Sequence, residues 1–355
     1  YEQLPWLVER FGKRWPFGTV IADECTKLKG FRLRQGGMRA TALARVAHKH
    51  TSRWINLSGT PSPNGLRDLW GQMWFVDAGA RLGRTFGAFE DRWFGYERKG
   101  DYVGRVPFEW AQDEVNAALA DVCRTIDPAD WFDLTEPLVN EIPVTLPPRG
   151  RTLYREMERE YFTVVDKVGV EAVNAGAKAS KCLQIASGGV IVDTKTGAWK
   201  PVHEEKLDAL QELVESTGDD ILLVVYTFRH EREMLRGRWP QAIDLSTPDG
   251  LARAKMGEGK IWLAQPQSVG HGVDGLQEHC WTVVFFAQNY NLEHHDQVIE
   301  RVGPMRQFQA GHSDRVVQLH YLVAQNTLDQ VAISRRATKR RVQDCLLEYM
   351  KGHDR

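Results

Sequence analysis

Several features are missing from this 355-residue chain, and each absence narrows what it can be. No apolar run approaches the roughly 20 residues that a membrane helix needs, so no membrane partner is expected. The opening stretch, YEQLPWLVERFGKRW, is amphipathic and charged, unlike a signal peptide. The five cysteines, Cys25, Cys123, Cys182, Cys280 and Cys345, are scattered with no C-x-x-C pair. That speaks for reduced thiols in a cytoplasmic protein and against a zinc site. No G-x-G-x-x-G follows a strand-like run, which argues against a dinucleotide enzyme. Acid is missing locally: from Cys25 to Arg53 there is no Asp or Glu, while Lys27, Lys29, Arg32, Arg34, Arg39, Arg45, Lys49 and Arg53 all fall in that window. On a chain of net charge −1, such a face suggests a polyanionic partner. For a second basic block, RRATKRR at 335–341, a solvated helix face is at least as good an explanation. The chain opens on Tyr1 rather than Met, so a processed chain or a fragment is expected.

What is present is an alternation of short β-rich runs with helical patterns, the signature of parallel sheets covered by helices. Residues 19–22 and 53–58 read as strands, with MRATALARVAHKH between them and GLRDLWGQMWFVD after them as helices. The alternation resumes with the helix EEKLDALQELVEST, then strands within ILLVVYTF, AIDLS, KIWLAQ, WTVVFFA and RVVQLHYLV. LEHHDQVIERV and the tail from Thr327 to Met350 read as helices. The expected architecture is α/β, in three parts. Residues 1–78 are an incomplete first unit, 79–150 a largely helical, aromatic-rich insertion and linker, and 151–355 a complete second unit. Trp93, Trp110 and Trp131 of the insertion are expected in its core.

Four segments could carry chemistry. VIADECTKLKG runs a strand into two acids, Asp23 and Glu24, at the edge where open parallel sheets bind ligands. An Asp there can hold Mg²⁺ through water, and a neighbouring Glu can orient or deprotonate an attacking water. A solvated loop explains the dipeptide alone. LSGTPSPNG follows the next strand, with Ser58, Gly59 and Thr60 in a tight turn; its plainer role is a helix start capped by Thr60 or Ser62. QSVGHGVDGLQ, holding Ser268, Gly270, His271, Gly272 and Asp274, is a Gly-rich loop that could approach a phosphate. QVIERVGPMRQ places Gln297 and Arg301 four apart on one helix face.

In this order and spacing, these segments resemble motifs II, III, V and VI of superfamily 2 helicases. The similarity is strongest to the Swi/Snf-type DNA translocases, especially their phage and bacterial members. VVYTFRHE, with Thr227 and Arg229, resembles motif IV, and CLQIASGGV the lead-in to the second motor lobe. The resemblance implies two RecA-like lobes, the first incomplete, with ATP and Mg²⁺ between them. Asp23 (Mg²⁺ through water) and Glu24 would act in catalysis, with Arg301 as the first motif VI arginine. Ser58, Gly59, Thr60, Gly272, Asp274 and Gln297 would bind ATP or couple it to motion. Thr227, Arg229, Ser268, Gly270 and His271 would hold DNA, mostly through its backbone. Cytoplasmic action in a bacterial or phage-infected cell is also implied.

The chain departs from that pattern in two places. No G-x-x-x-x-G-K-[ST] occurs anywhere, so the phosphate-cradling loop would come from an upstream segment or a separate chain. Where the family has its second motif VI arginine stands Pro304, and Arg306 is the expected substitute. Two functions follow: a fragment of an ATP-driven DNA translocase or helicase, or a catalytically incomplete or split motor module that binds DNA or partners without hydrolysing ATP.

Overall fold

The computed structural model describes residues 1–99, 102–127, 130–165, 168–172, 174–269 and 273–351. The chain forms two compact units, one of residues 1–127 with 337–355 and the other of 128–336.

In the first unit, strands Thr19–Ala22 and Arg53–Asn56 pair in parallel, with Val20 opposite Trp54 and Ala22 opposite Asn56. Helix Met38–Ala47 connects them. Ala22 and Trp54 face a core built around Leu28, Leu43, Trp70, Phe75 and Phe89. Helix Arg67–Asp77 lies against the loop that follows the first strand: a Cβ on Gly71 would stand 2.7 Å from the carbonyl oxygens of both Leu28 and Lys29. Glycine is required there by close approach, not by its backbone angles.

Residues 79–150 differ from the expected helical insertion. They hold helices Phe86–Trp93 and Ala111–Leu119, but also an antiparallel hairpin, Phe94–Lys99 with Tyr102–Pro107. Their last strand, Leu138–Val144, joins the sheet of the second unit. Trp93 is in the core, whereas Trp110 and Trp131 are exposed. Trp110 stacks on Phe108 at the foot of the hairpin.

The second unit is built on a six-stranded sheet in the order Ile243–Asp244, Ile261–Ala264, Leu222–Val225, Thr282–Phe285, Gln318–Ala324, Leu138–Val144. Every pairing is parallel. The three strands 222–225, 261–264 and 282–285 are buried at every residue, as a sheet covered on both faces demands. The edge strand is mostly exposed and carries Pro143, a residue that sheets tolerate at their margins. Helix starts are fixed by side chains: Asn174, Thr247 and Asn291 each accept a hydrogen bond from an N–H of the first turn. A buried ion pair ties the sheet to flanking helices. Lys206 donates to Asp329 at 2.6 Å and to the Phe286 carbonyl at 3.0 Å, and Asp329 accepts from the Ala324 N–H.

Candidate functional site

The first unit carries the acid pair. Asp23 follows directly on strand Thr19–Ala22, and the two strand ends are stitched together. The Leu57 N–H donates to the Ala22 carbonyl at 2.9 Å, and the Cys25 N–H donates to the Leu57 carbonyl at 3.0 Å. Glu24 takes a left-handed backbone, φ 51° and ψ 51°. For a non-glycine residue this costs about 1–2 kcal/mol, and such strain gathers at functional sites. Its N–H donates to the Asp23 carboxylate at 3.0 Å. The Tyr1 hydroxyl donates to the Asp23 carbonyl at 2.8 Å. Burial, and then Cys25 and the two carboxylates, raises the pKa of that phenol, so it stays a donor.

The Ser58-Gly59-Thr60 turn lies beside this loop. The Thr60 N–H donates to Ser58 Oγ at 3.1 Å. Neither Thr60 nor Ser62 caps the next helix, which starts at Arg67 after Leu66. Gln72 unites the whole region. It accepts from the Cys25 thiol at 3.0 Å and donates to the Pro61 carbonyl at 2.7 Å. Its carbonyl accepts from the Asn56 side chain at 2.9 Å. Burial pushes the Cys25 thiol up to about 12, so it serves as a neutral donor. Sequence reasoning missed Gln72; the available signal was one amide in an otherwise apolar stretch, LWGQMWF.

The second unit carries the arginines. Helix Leu292–Val302 holds Gln297 and Arg301 on one face. Arg301 donates to the Val273 carbonyl at 3.1 Å. Gln297 is buried, and its Oε1 has no partner among the described residues. Pro304 opens a short new helix, Pro304–Gln309, that carries Arg306 within 3.5 Å of the Asp274 carboxylate. Both arginines therefore reach the same segment, 273–274. Gly270, His271 and Gly272 lie outside the described residues.

The residues expected to hold DNA are less uniform. Ser268 turns its hydroxyl inward, donating to the Gln265 carbonyl at 2.8 Å. Arg229 is exposed but paired with Glu233 at 3.1 Å. Thr227 and Phe228 are held by Glu231, whose fully buried carboxylate accepts from both their N–H groups at 2.8 and 2.9 Å. Burial raises the Glu231 pKa, opposed by those two donors. An acid at the third helical position is the cue that would have assigned this role. Thr227, Phe228, Asn289 and Tyr290 line an open groove of about 740 Å³ with Lys178 and Arg335. It lies past the carboxyl ends of two central strands, where open α/β sheets bind ligands.

As for a metal, no group of three or more His, Cys, Asp or Glu side chains is placed to hold one among the described residues. Exposed Asp23 fits a single contact to a Mg²⁺ ion that keeps most of its water.

No protein-family model matches the chain. It is 47% identical over 354 residues to putative protein p41 of Acyrthosiphon pisum secondary endosymbiont phage 1, covering 99% of this chain and 76% of that one. It is also 24% identical over 181 residues to the ISWI chromatin-remodeling complex ATPase CHR11 of Arabidopsis thaliana, covering 49% of this chain and only 14% of the plant protein. The SWI2/SNF2 ATPase core of Sulfolobus solfataricus, solved in complex with dsDNA, matches at 18% identity and a TM-score of 0.40, covering 94% of this chain and 70% of that one. That score is too low to equate individual residues. With 47% identity over almost its whole length, the chain belongs to the family of the phage protein p41, and its sequence similarity extends from there to the Swi/Snf-type ATPases.

Proposed function

We propose that this chain is part of an ATP-driven DNA translocase or helicase. The observation that carries the proposal is the strand-end arrangement of the first unit. Asp23, a strained Glu24 and the Ser58-Gly59-Thr60 turn share one sheet edge, and Gln72 bonds the residue that follows each of the two segments, Cys25 and Pro61. The second unit adds Arg301 and Arg306 on one segment. When bound, Mg²⁺ would neutralise charge on the phosphates of ATP. Asp23 would hold it through water, and Glu24 would orient or deprotonate the attacking water. Arg301, with Arg306 in place of the second arginine, would meet the charge that builds on the transferring phosphoryl group. Asp274, Gln297 and Gly272 would line the nucleotide, and the Ser58–Thr60 turn would pass its state to the strands. DNA would run by Thr227, Arg229, Ser268, Gly270 and His271, in the cytoplasm of a bacterial or phage-infected cell.

The test is DNA-stimulated ATP hydrolysis by a form that includes the phosphate loop. Glu24→Gln should lower the rate by about 10²–10⁴, and equal rates would overturn the mechanism.

One observation favours a second reading, a split or incomplete motor module. The 355 residues contain no phosphate-loop sequence, and among the described residues the first unit's parallel sheet has two strands. In that case the chain alone binds DNA without turning over ATP. Its log affinity falls against log salt at a slope of about −0.9 for each phosphate neutralised. An affinity that salt does not move would count against it.

A further inference from the structure

The basic window between Cys25 and Arg53 is not absorbed by the site above, and part of it gathers at one place on the first unit. Helices Leu4–Phe11 and Met38–Ala47 lie side by side and run the same way. At their starts Arg39 is paired with Glu2 at 3.0 Å, and toward their ends Lys13, Arg45, Lys49 and His50 meet around one open groove. Among the described residues, Glu9 is the one acid that lines it. Lys13, Arg45 and Lys49 are exposed, and none makes an ion pair or side-chain hydrogen bond among the described residues. The helix dipole favours a cation in the last turn, which accounts for Arg45 but not for Lys13 and Lys49, beyond the helix ends.

Three features narrow what this cluster can hold. The groove floor is closed: Val8, Ala42 and Val46 are 5%, 8% and 2% exposed and belong to the unit's own core. A protein segment docks around an apolar centre, and none is open here. The phosphate backbone of nucleic acid is held by cations, hydroxyls and N–H groups, and asks for no apolar contact. Spacing is the second feature. Thr41, Arg45 and Lys49 are four apart and share one face, with Lys49 continuing the row just past the helix end. That row is about 12 Å long. One DNA strand sets a phosphate about every 3.4 Å along its axis, so the row runs past about three of them. The third feature is distance from the acid pair. The Ser52 and Arg53 N–H groups donate to the Gly18 carbonyl, so the segment after His50 meets the first strand at its start. Asp23 lies at the other end of that strand, four residues or about 13 Å away. An anion held by the cluster is therefore not the nucleotide.

We infer that Lys13, Arg45 and Lys49, with the Thr41 hydroxyl, form a separate DNA surface on the first unit, which grips the phosphate backbone without reading bases. It is additional to the contacts proposed above at Thr227, Arg229, Ser268, Gly270 and His271. It does not rest on the ATP chemistry of that reading.

The experiment is fluorescence anisotropy on the whole chain, without ATP, with a short labelled DNA duplex titrated over a range of salt. Lys13→Gln, Arg45→Gln and Lys49→Gln together should make the slope of log affinity against log salt shallower by about one for each contact removed. Lys49→Gln alone should take away about one. Three exposed cations of the second unit, Lys195, Arg236 and Lys255, changed together to Gln, control for net charge and should leave the slope as it was. All these positions are exposed, and a circular dichroism melt verifies that each variant folds. A first-unit triple variant with the wild-type slope would overturn the inference and leave DNA to the second unit's contacts. Equal loss in both triple variants would also overturn it, because the effect would then be one of net charge. So would binding of labelled polyglutamate, tighter than that of the duplex and abolished by the first-unit triple variant, which would make the cluster a site for an acidic protein.

Discussion

The two parallel sheets of this chain are covered to different degrees. In the second unit the strands 222–225, 261–264 and 282–285 are buried at every residue. In the first unit the two strands are half-covered: Ala22 and Trp54 turn to the core, while the register partners Ile21 and Ile55 are 59% and 38% exposed. Parallel sheets are normally covered on both faces, so the first unit's strand pair presents an apolar face that these three strands of the second unit do not. The contrast changes what holds a site in place. Arg301 sits on a helix packed over a deep sheet core. Asp23 and Glu24 are placed by loop contacts, chiefly Tyr1, Gln72 and the close approach at Gly71. Stability and site geometry should therefore respond differently in the two units.

The largest expected effect is in the second unit. Lys206 and Asp329 are each 1% exposed and bonded to one another. Lys206→Met leaves a buried, unpaired carboxylate and should cost about 3–5 kcal/mol, read as a fall in the denaturant midpoint. Adding Asp329→Leu should recover part of that loss, because the uncompensated charge is then gone. A double variant no better than the single one would mean that the pair acts through its backbone contacts to Phe286 and Ala324.

Acid should separate the units next. Burial pushes His203 and His230, both in the second unit, down to about 4 from an ordinary 6.5. In the fold they stay neutral, while the unfolded chain takes up protons below about 6.5. The unfolded state thus binds more protons, and stability falls as pH drops from about 6.5 toward about 4. At pH 5 the loss is about 2 kcal/mol for each histidine. The first unit's His48 and His50 are exposed. Hydrogen exchange at pH 7 and pH 5 should show the second unit's amides losing protection first, and His230→Gln should flatten the dependence.

A smaller and local effect is expected at Gly71. A methyl group there meets two carbonyl oxygens at 2.7 Å, so Gly71→Ala should cost about 1–3 kcal/mol. The loss should appear as faster exchange in residues 25–30, with the second unit unchanged. Uniform loss across both units would mean that they unfold as one.

The same contrast explains what was legible in the sequence. Buried parallel strands announce themselves as continuous apolar runs, so LLVV, IWLA and TVVF stood out, and helix Leu292–Val302 matches its periodic stretch end to end. Strand Leu138–Val144 did not stand out. As an edge strand it leaves Leu138 and Val139 exposed and contains Asn140, Glu141 and Pro143, so it has neither alternation nor a continuous apolar run. The hairpin at 94–107 was also missed, although Gly100-Asp101 between two β-rich runs is a turn signal. At the site, the order of strand, acid pair, helix, strand and Ser-Gly-Thr turn could be read from the sequence alone. The contacts of Gln72, Tyr1 and Glu231 could not, because they depend on which segments meet in space.

The smallest effect bears most directly on the first unit. If Glu24 is held in a left-handed conformation for the sake of its carboxylate, the fold bears a strain that glycine would release. Removing it returns about 1–2 kcal/mol, offset by about 0.5–1 kcal/mol for the greater freedom of glycine in the unfolded chain. Glu24→Gly should therefore raise stability by up to about 1 kcal/mol, a rise in Tm of a few degrees for a unit of this size. Glu24→Ala keeps the strain and loses the carboxylate, so it should show no such gain. In a form that includes the phosphate loop, both variants should lose ATP hydrolysis, whatever their stability. A glycine variant that is less stable than the alanine one would mean that the turn gains nothing from a left-handed glycine, and that the backbone at Glu24 is set by its neighbours and not kept under strain for chemistry.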